Sequence, residues 1–498
     1  MTSRIFFNKI VLSILSGIII IECLSLLGHV YGFLNTAIFL LLVIGTFILS
    51  LRKLEYGFWI AATELFIGSF GYLFFYDLGN FRISVRLGIF TAVWLAWLIQ
   101  AIRQKQFAFW SSPYRTFFGI FILTVCLGII IAFLNGVPIK NIFFDSNAYL
   151  YFGFLFVALH VINSWSRVVT LGQILVASVF STTLKTISLL FFFSHATDPW
   201  IIRTIYTWVR DTRVGEIAQV TGMYYRIFFQ SHIWSLFVLV GCVIWLMLTN
   251  KKDEISKIRR WVWFLTLCTS LTLLISFSRS IWLSLAMTFL LIFCYVKVKQ
   301  KITWRQFGVT ISGLAISALL AVGLISLIVS VRLPGGTGSG VSAVSLISER
   351  LTTTDEAAIG SRYELLKPLI RKYMEKPVFG SGFGTTVSYR TLDPRTKTAN
   401  GGMYTTYAFE WGFLDILVKT GLIGLVAYLF LIWKIFKTGN SSLSKISDTS
   451  YRLTVISILF CIISLLIVHM TTPYLNHPLG IFLLICAAAI FLVKPAQA

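Results

Sequence analysis

Long apolar runs separated by short polar connectors recur along almost the whole chain. A helix needs roughly 20 mostly apolar residues to cross a hydrocarbon core about 30 Å thick, and in lipid its backbone polar groups must be satisfied internally. By that criterion the pattern predicts about 14 membrane helices, near 10–27, 33–51, 57–77, 84–102, 114–134, 149–165, 168–193, 231–249, 261–277, 280–296, 307–331, 412–434, 452–469 and 479–493. The expected fold class is all-α, a polytopic transmembrane helical bundle with both termini on the cytoplasmic side. Residues 1–27 carry Arg4 and Lys9 ahead of a long apolar run that contains Glu22 and lacks a small-residue cleavage pattern. They read as the first membrane helix and not as a removable signal.

Two longer connections interrupt the pattern, near 197–230 and over 332–411. The domain organisation expected is therefore 1–331 with helices 1 to 11, a large external loop over 332–411, and 412–498 with helices 12 to 14. The large loop opens with GGTGSG at Gly335 to Gly340. It continues with SRYELLKPLIRKYMEK at Ser361 to Lys376, where Leu365, Leu366, Leu369, Ile370, Tyr373 and Met374 share one helical face. A short amphipathic helix is predicted there, bent at Pro368 and stopped at Pro377. The glycines of VFGSGFG, Gly380, Gly382 and Gly384, predict a turn whose backbone amides can approach a ligand.

Composition excludes a water-soluble globule. Hydrophobic residues make up 57% of 498 positions and charged residues 12%, too little polar surface to face water. The net charge of +23 does not point to nucleic acid, because the basic residues are spread among the connectors. With the amino terminus inside, Arg52/Lys53, Arg103/Lys105, Lys251/Lys252/Lys257/Arg259/Arg260, Lys297/Lys299/Lys301/Arg305 and Lys434/Lys437/Lys445 all fall on the cytoplasmic side, as the positive-inside rule requires. The seven cysteines sit in apolar stretches without paired spacing, so neither a disulfide framework nor a thiolate metal site is expected.

Ionisable residues near membrane depth are costly, which makes each a candidate for function. Asp415 and Lys419 lie four apart on one helix, the spacing of a plain intrahelical ion pair. Arg82 and Arg86 either snorkel to headgroups or, for Arg86, pair with Glu64. Arg279, in SFSRSIWLS, sits at an external hairpin between two apolar runs, against the positive-inside pattern. Arg226, in YYRIFFQSH, precedes the eighth span. Two such arginines can grip a pyrophosphate through their planar forks of donors, or they can anchor to lipid headgroups. Arg362 belongs to the basic face of the loop helix, which meets anionic glycan or lipid phosphate or is simply solvated. Glu410 opens the span after the large loop, a position the helix dipole favours on its own. Outer-surface aromatics, among them Trp208, Tyr224, Tyr225, Tyr404, Tyr407 and Trp411, can stack on sugars or serve as interface anchors.

Arg279-Ser-Ile-Trp-Leu283 matches an Arg-x-x-x-Leu motif, and Glu410-Trp411 is followed after nine residues by Gly421-Leu-Ile-Gly424. With the preceding arginine, amphipathic helix, proline and Gly-rich turn, the stretch from Arg226 to Tyr474 resembles the O-antigen ligase and Wzy-type polysaccharide polymerase superfamily of membrane glycosyltransferases. The family's ligases carry a histidine followed by Asn, Ser or Gln where this chain has Glu410 and Trp411.

The resemblance implies transfer of a glycan from undecaprenyl diphosphate to an acceptor hydroxyl on the outer face of a bacterial plasma membrane, the site facing the periplasm or exterior. It implies that Arg226, Arg279 and Arg362 hold the donor diphosphate and that Glu410 stands in the catalytic position. Supporting or glycan contacts fall to Arg86, Glu64, Tyr225, His232, Tyr404 and Trp411. The partners implied are the lipid-linked donor, an acceptor glycan or lipid-linked glycan, membrane lipids, and chain-length or export proteins. No cofactor and no metal are expected. The leading function is a polysaccharide polymerase; a ligase for the finished glycan is the alternative, and a lipid-linked glycan transporter or flippase is the rival of another class. Transporters often show inverted repeats, and none is visible here.

Overall fold

The computed structural model describes residues 8–493 apart from 80, 106, 196–197, 222–223, 250–252, 300–302, 332–356, 392–400 and 447. Arg4, Lys251, Lys252, Lys301, the Gly335 to Gly340 run, Asp355 and Glu356 therefore lie outside the described residues.

Among the described residues, eleven helical segments are long and apolar enough to cross a membrane. They are α1 (Lys9–Val30), α2 (Gly32–Arg52), α4 (Val85–Gln104), α5 (Arg115–Leu134), the broken segment Ile139–Val161, α8 (Trp165–Ser194), α11 (Asp253–Ile275), α12 (Arg279–Lys299), α13 (Trp304–Ser330), α15 (Gly412–Ser442) and α16 (Thr449–His469). The protein is a multi-pass membrane protein, mostly helical. The difference from about 14 expected spans lies in three short helices, α3 (Leu54–Ile67), α10 (His232–Leu248) and α17 (Pro478–Ile490). At 1.5 Å rise per residue none of these alone covers the hydrocarbon core.

Two further readings are corrected. Within Ile139–Val161 the chain forms α6 (Ile139–Ser146), a 3-10 stretch Asn147–Gly153 and α7 (Phe154–Val161), so the expected span at 149–165 begins ten residues earlier and is broken. The connection near 197–230 is not a plain loop: it holds the amphipathic helix α9 (Pro199–Asp211), capped by Asp198, and the hairpin β3 (Glu216–Thr221) with β4 (Tyr224–Phe228).

Because successive long segments reverse direction, the irregular pieces collect at one end of the bundle. They are the hairpin β1 (Phe75–Asp77) with β2 (Arg82–Ser84), α9, the β3–β4 hairpin, the loop helix α14 (Ala357–Glu375), and β5 (Val387–Arg390) paired with β6 (Met403–Thr406). α14 runs through Pro368 and ends at Glu375, two residues before Pro377. In the spans, Lys185 of α8 meets Glu22 of α1 at 2.5 Å, both buried. Pairing is the condition on which charges persist at such depth.

The Gly-rich turn does not offer its amides to a ligand. It locks into a break in α15, where Gly421 adopts φ 68° and ψ −172°. Ser381 N donates to Val418 O at 2.7 Å and Gly382 N to Lys419 O at 3.1 Å, while Leu422 N and Ile423 N donate back to Pro377 O and Val378 O. Backbone groups freed by the break are thus satisfied by protein, as a broken helix inside a bilayer requires. A Cβ on Gly421 would lie 2.2 Å from Val378 O, so close approach and left-handed φ both demand glycine there.

Candidate active site

The floor of the loop end is a cavity of about 1090 Å³. Its wall combines α9, the β3–β4 hairpin, the turn between α11 and α12, α14, the β5–β6 hairpin and residues 471–473.

Strand β4 places Arg226 by alternation. Arg226 lines the cavity, whereas Tyr225 turns away to pack on Phe193 at 5.4 Å between ring centres. Arg226 Nε donates to the Ser276 carbonyl at 2.9 Å, and Glu216 on the paired strand lies 3.7 Å from Nη1. The Ser276 carbonyl is presented by a tight turn in which Phe277 takes the left-handed φ of 48°. Burial draws the Arg226 pKa below the usual guanidinium value; Glu216 opposes that shift and the Arg362 charge adds to it.

The same turn ends at Arg279, the first residue of α12, whose neighbours Ser278 and Ser280 line the cavity. Arg279 lies within electrostatic reach of Arg362. Thr472 Oγ1 donates to Ser280 Oγ at 3.0 Å and ties this corner to the end of α16.

Arg362 hangs over the cavity from α14. Leu365 and Leu369 on its apolar face pack with Val387, Phe409 and Val418 in a small satellite core that fixes the helix. Trp411 contributes from outside the cavity: its Nε1 donates to the Arg362 carbonyl at 3.0 Å. Arg362 Nε pairs with the Glu410 carboxylate, and both side chains are partly exposed to the cavity. Glu410 precedes α15 by two residues, in the extended approach to the helix.

The structure therefore gathers Arg226, Arg362, Tyr404 and Glu410 around one chamber, with Arg279 at its edge. It does not bring the other named residues there. His232 is fully buried, its Nδ1 accepting from Phe229 N at 3.4 Å and its Nε2 lying 3.1 Å from Thr186 Oγ1, so it braces the turn into α10. Glu64 and Arg86 form a buried pair at 2.7 Å, with Arg86 Nη1 also donating to Ser69 O at 2.9 Å. Arg82 pairs with the exposed Asp77 at 3.0 Å.

Asp415 and Lys419 do pair, at 2.5 Å, but within a larger buried group. Lys419 also reaches Asp145, Asn476 Nδ2 donates to Asp415 at 2.5 Å, and Gly384 N donates to Asp145 at 2.6 Å. This group joins the Gly-rich turn, α6 and α15. Sequence reasoning missed Asp145, Glu216 and Arg210. The signal for Asp145 was an acid inside the apolar run IFFDSNAYL, hidden because the run was not read as part of a span.

Many apolar helices and a polar cavity at the loop end, lined by Arg226, Arg362, Glu216 and Glu410 with Arg279 at its edge, define a multi-pass membrane protein with a charged chamber. Residues 264–429 match the family model Wzy_C, described as O-antigen ligase, and so carry an O-antigen ligase domain. The matched region includes Arg279, Arg362, Tyr404, Glu410 and the break at Gly421; Arg226 lies outside it. Enzymes of this family are glycosyltransferase-type membrane proteins of O-antigen ligase or polymerase kind, acting on lipid-linked glycans. No curated protein matches the chain.

Proposed function

We propose that this protein polymerises a polysaccharide, transferring glycan from undecaprenyl diphosphate to the hydroxyl of an acceptor sugar in the chamber at the loop end. The observation that supports this reading is the clustering of Arg226, Arg279 and Arg362 at one cavity large enough for sugars, where Arg362 pairs with Glu410.

In the reaction, the acceptor oxygen attacks the anomeric carbon as the bond from that carbon to the diphosphate oxygen breaks. The acceptor proton passes to Glu410, and the lipid diphosphate departs with the electron pair. Preorganised cations stabilise charge building on the departing group. Guanidinium groups suit this task because they stay ionised and bind phosphate oxygens in pairs. Tyr404 and Tyr389, edge to face at 5.9 Å, offer ring surface to a sugar at the rim.

The opposite end of the bundle carries Arg52, Lys53, Arg103, Lys105, Lys297, Lys299, Lys434 and Lys437. That asymmetry supports a loop end facing away from the cytoplasm, in the plasma membrane of a bacterium.

The test is reconstitution of the purified chain in vesicles with a lipid-diphosphate-linked oligosaccharide and no nucleotide. The expected product is a ladder of longer lipid-linked glycans with release of undecaprenyl diphosphate. Glycan that keeps its length and moves only to a different acceptor would make the protein a ligase. Movement across the bilayer without new bonds would make it a transporter.

A further inference from the structure

Beside the arginine cavity lies a second chamber. Two adjoining pockets of about 290 and 380 Å³ share Tyr72, Arg82, Phe144, Arg213 and Tyr407. The partition between chamber and cavity is made of neighbouring residues that face opposite ways. Arg210 lines the cavity and Asp211 the chamber; Glu410 lines the cavity and Phe409 the chamber; Pro473 lines both. The carboxylate assigned to the reaction thus sits in the wall that the two spaces share.

The chemistry of the chamber is that of a sugar site with a preference. Tyr72, Phe144 and Tyr407 line it, and aromatic rings can stack on the C–H surface of a sugar. The guanidinium of Arg213 stands 5.6 Å from the centre of the Tyr72 ring. Arg213 holds φ 49°, a left-handed backbone that costs free energy in a residue with a Cβ and tends to occur at functional sites. Deeper in the chamber is Arg86, 3% exposed, whose Nη2 has no hydrogen-bond partner among the described residues.

The acids that could neutralise the chamber are already engaged. Asp145 and Asp415 share Lys419, Asp211 pairs with Arg210, and Asp77 pairs with Arg82. Among the described residues neither Lys140 nor Arg213 has a carboxylate partner, and both line the chamber.

We propose that this chamber is the acceptor subsite and that it selects a sugar carrying a carboxylate or phosphate, which Arg213 and Lys140 bind while Tyr72 and Tyr407 hold the ring. The inference rests on the polymerase reading, because it places the acceptor hydroxyl across the shared wall from the donor diphosphate. Charge-assisted hydrogen bonds make such a preference worth about tenfold or more in affinity.

The test compares a soluble oligosaccharide ending in glucuronic acid with its carboxyl-reduced counterpart, as acceptors for the full-length protein in vesicles of neutral lipid. The wild type is expected to favour the acid by about tenfold in acceptor KM. The double variant Arg213→Gly, Lys140→Gln should lose that preference; glycine at 213 also relaxes the left-handed backbone, which guards against misfolding as the cause. Equal treatment of the two acceptors by the wild type would overturn the proposal. The comparison is repeated in vesicles with a rising fraction of anionic lipid, and a variant effect that follows that fraction and not the acceptor would also overturn the proposal, since it marks a headgroup site. If no bond forms with either acceptor, the polymerase reading fails by itself. Direct binding of the two oligosaccharides then decides the chamber: preference for the acid that is lost in the double variant supports it, and equal binding refutes it.

Discussion

Replacing Glu410 by glutamine is expected to lower turnover by roughly two to four orders of magnitude, the usual contribution of a positioned general base, while donor binding is retained. Glutamine keeps an oxygen that can accept from Arg362, so the loop helix α14 stays anchored over the cavity through that contact and through Trp411. What glutamine cannot do is take the acceptor proton. The measurement is single-turnover transfer from a lipid-diphosphate donor, run beside donor binding on the same protein. A loss below about tenfold would reduce Glu410 to an orienting partner of Arg362. Loss of donor binding together with turnover would show that the carboxylate only organises the arginines.

Removal of one arginine should act on a different quantity. Arg279→Ala is expected to cut kcat/KM for the donor by about 10²–10³, the effect of deleting one preorganised donor from a site where negative charge develops. Arg279 opens α12 at the edge of the cavity, within reach of the Arg362 charge, and Arg226 stands on the neighbouring strand. Deleting one positive charge from this group removes more stabilisation from the transition state, where charge builds on the departing diphosphate, than from the bound ground state. Arg279→Lys should recover part of the loss, because lysine restores charge but not the planar fork. Equal activity of the alanine variant and the wild type would remove Arg279 from the site.

How much of this was legible in the sequence depends on the range of the interaction involved. Span lengths and the loop helix follow from local hydropathy and periodicity, so the bundle and α14 were readable. Glu64 and Arg86 could be paired because both were costly charges at the same depth. The partners of Arg226 were not readable, since Glu216 reaches it only through a hairpin whose register is set by contacts across strands. The alternation of β4 also separates Tyr225 from Arg226, and without the strand both looked like surface residues of one loop. His232 and Trp411 carried polar atoms near the site in sequence and use them for backbone support. The glycines at 380 and 382 were rightly marked as a turn, but their purpose lay in the break at Gly421, which only tertiary packing reveals. Asp145 escaped for a related reason: the 3-10 stretch that follows it breaks the helical period by which a span is recognised.

The most direct measurement is a structure of the protein with an undecaprenyl-diphosphate-linked sugar bound. The diphosphate is expected in the cavity with its oxygens at hydrogen-bonding distance, about 3 Å, from Arg226, Arg279 and Arg362, and with the anomeric carbon turned toward Glu410. A diphosphate seated elsewhere, whether beyond Pro473 in the second chamber or outside both spaces, would contradict the account.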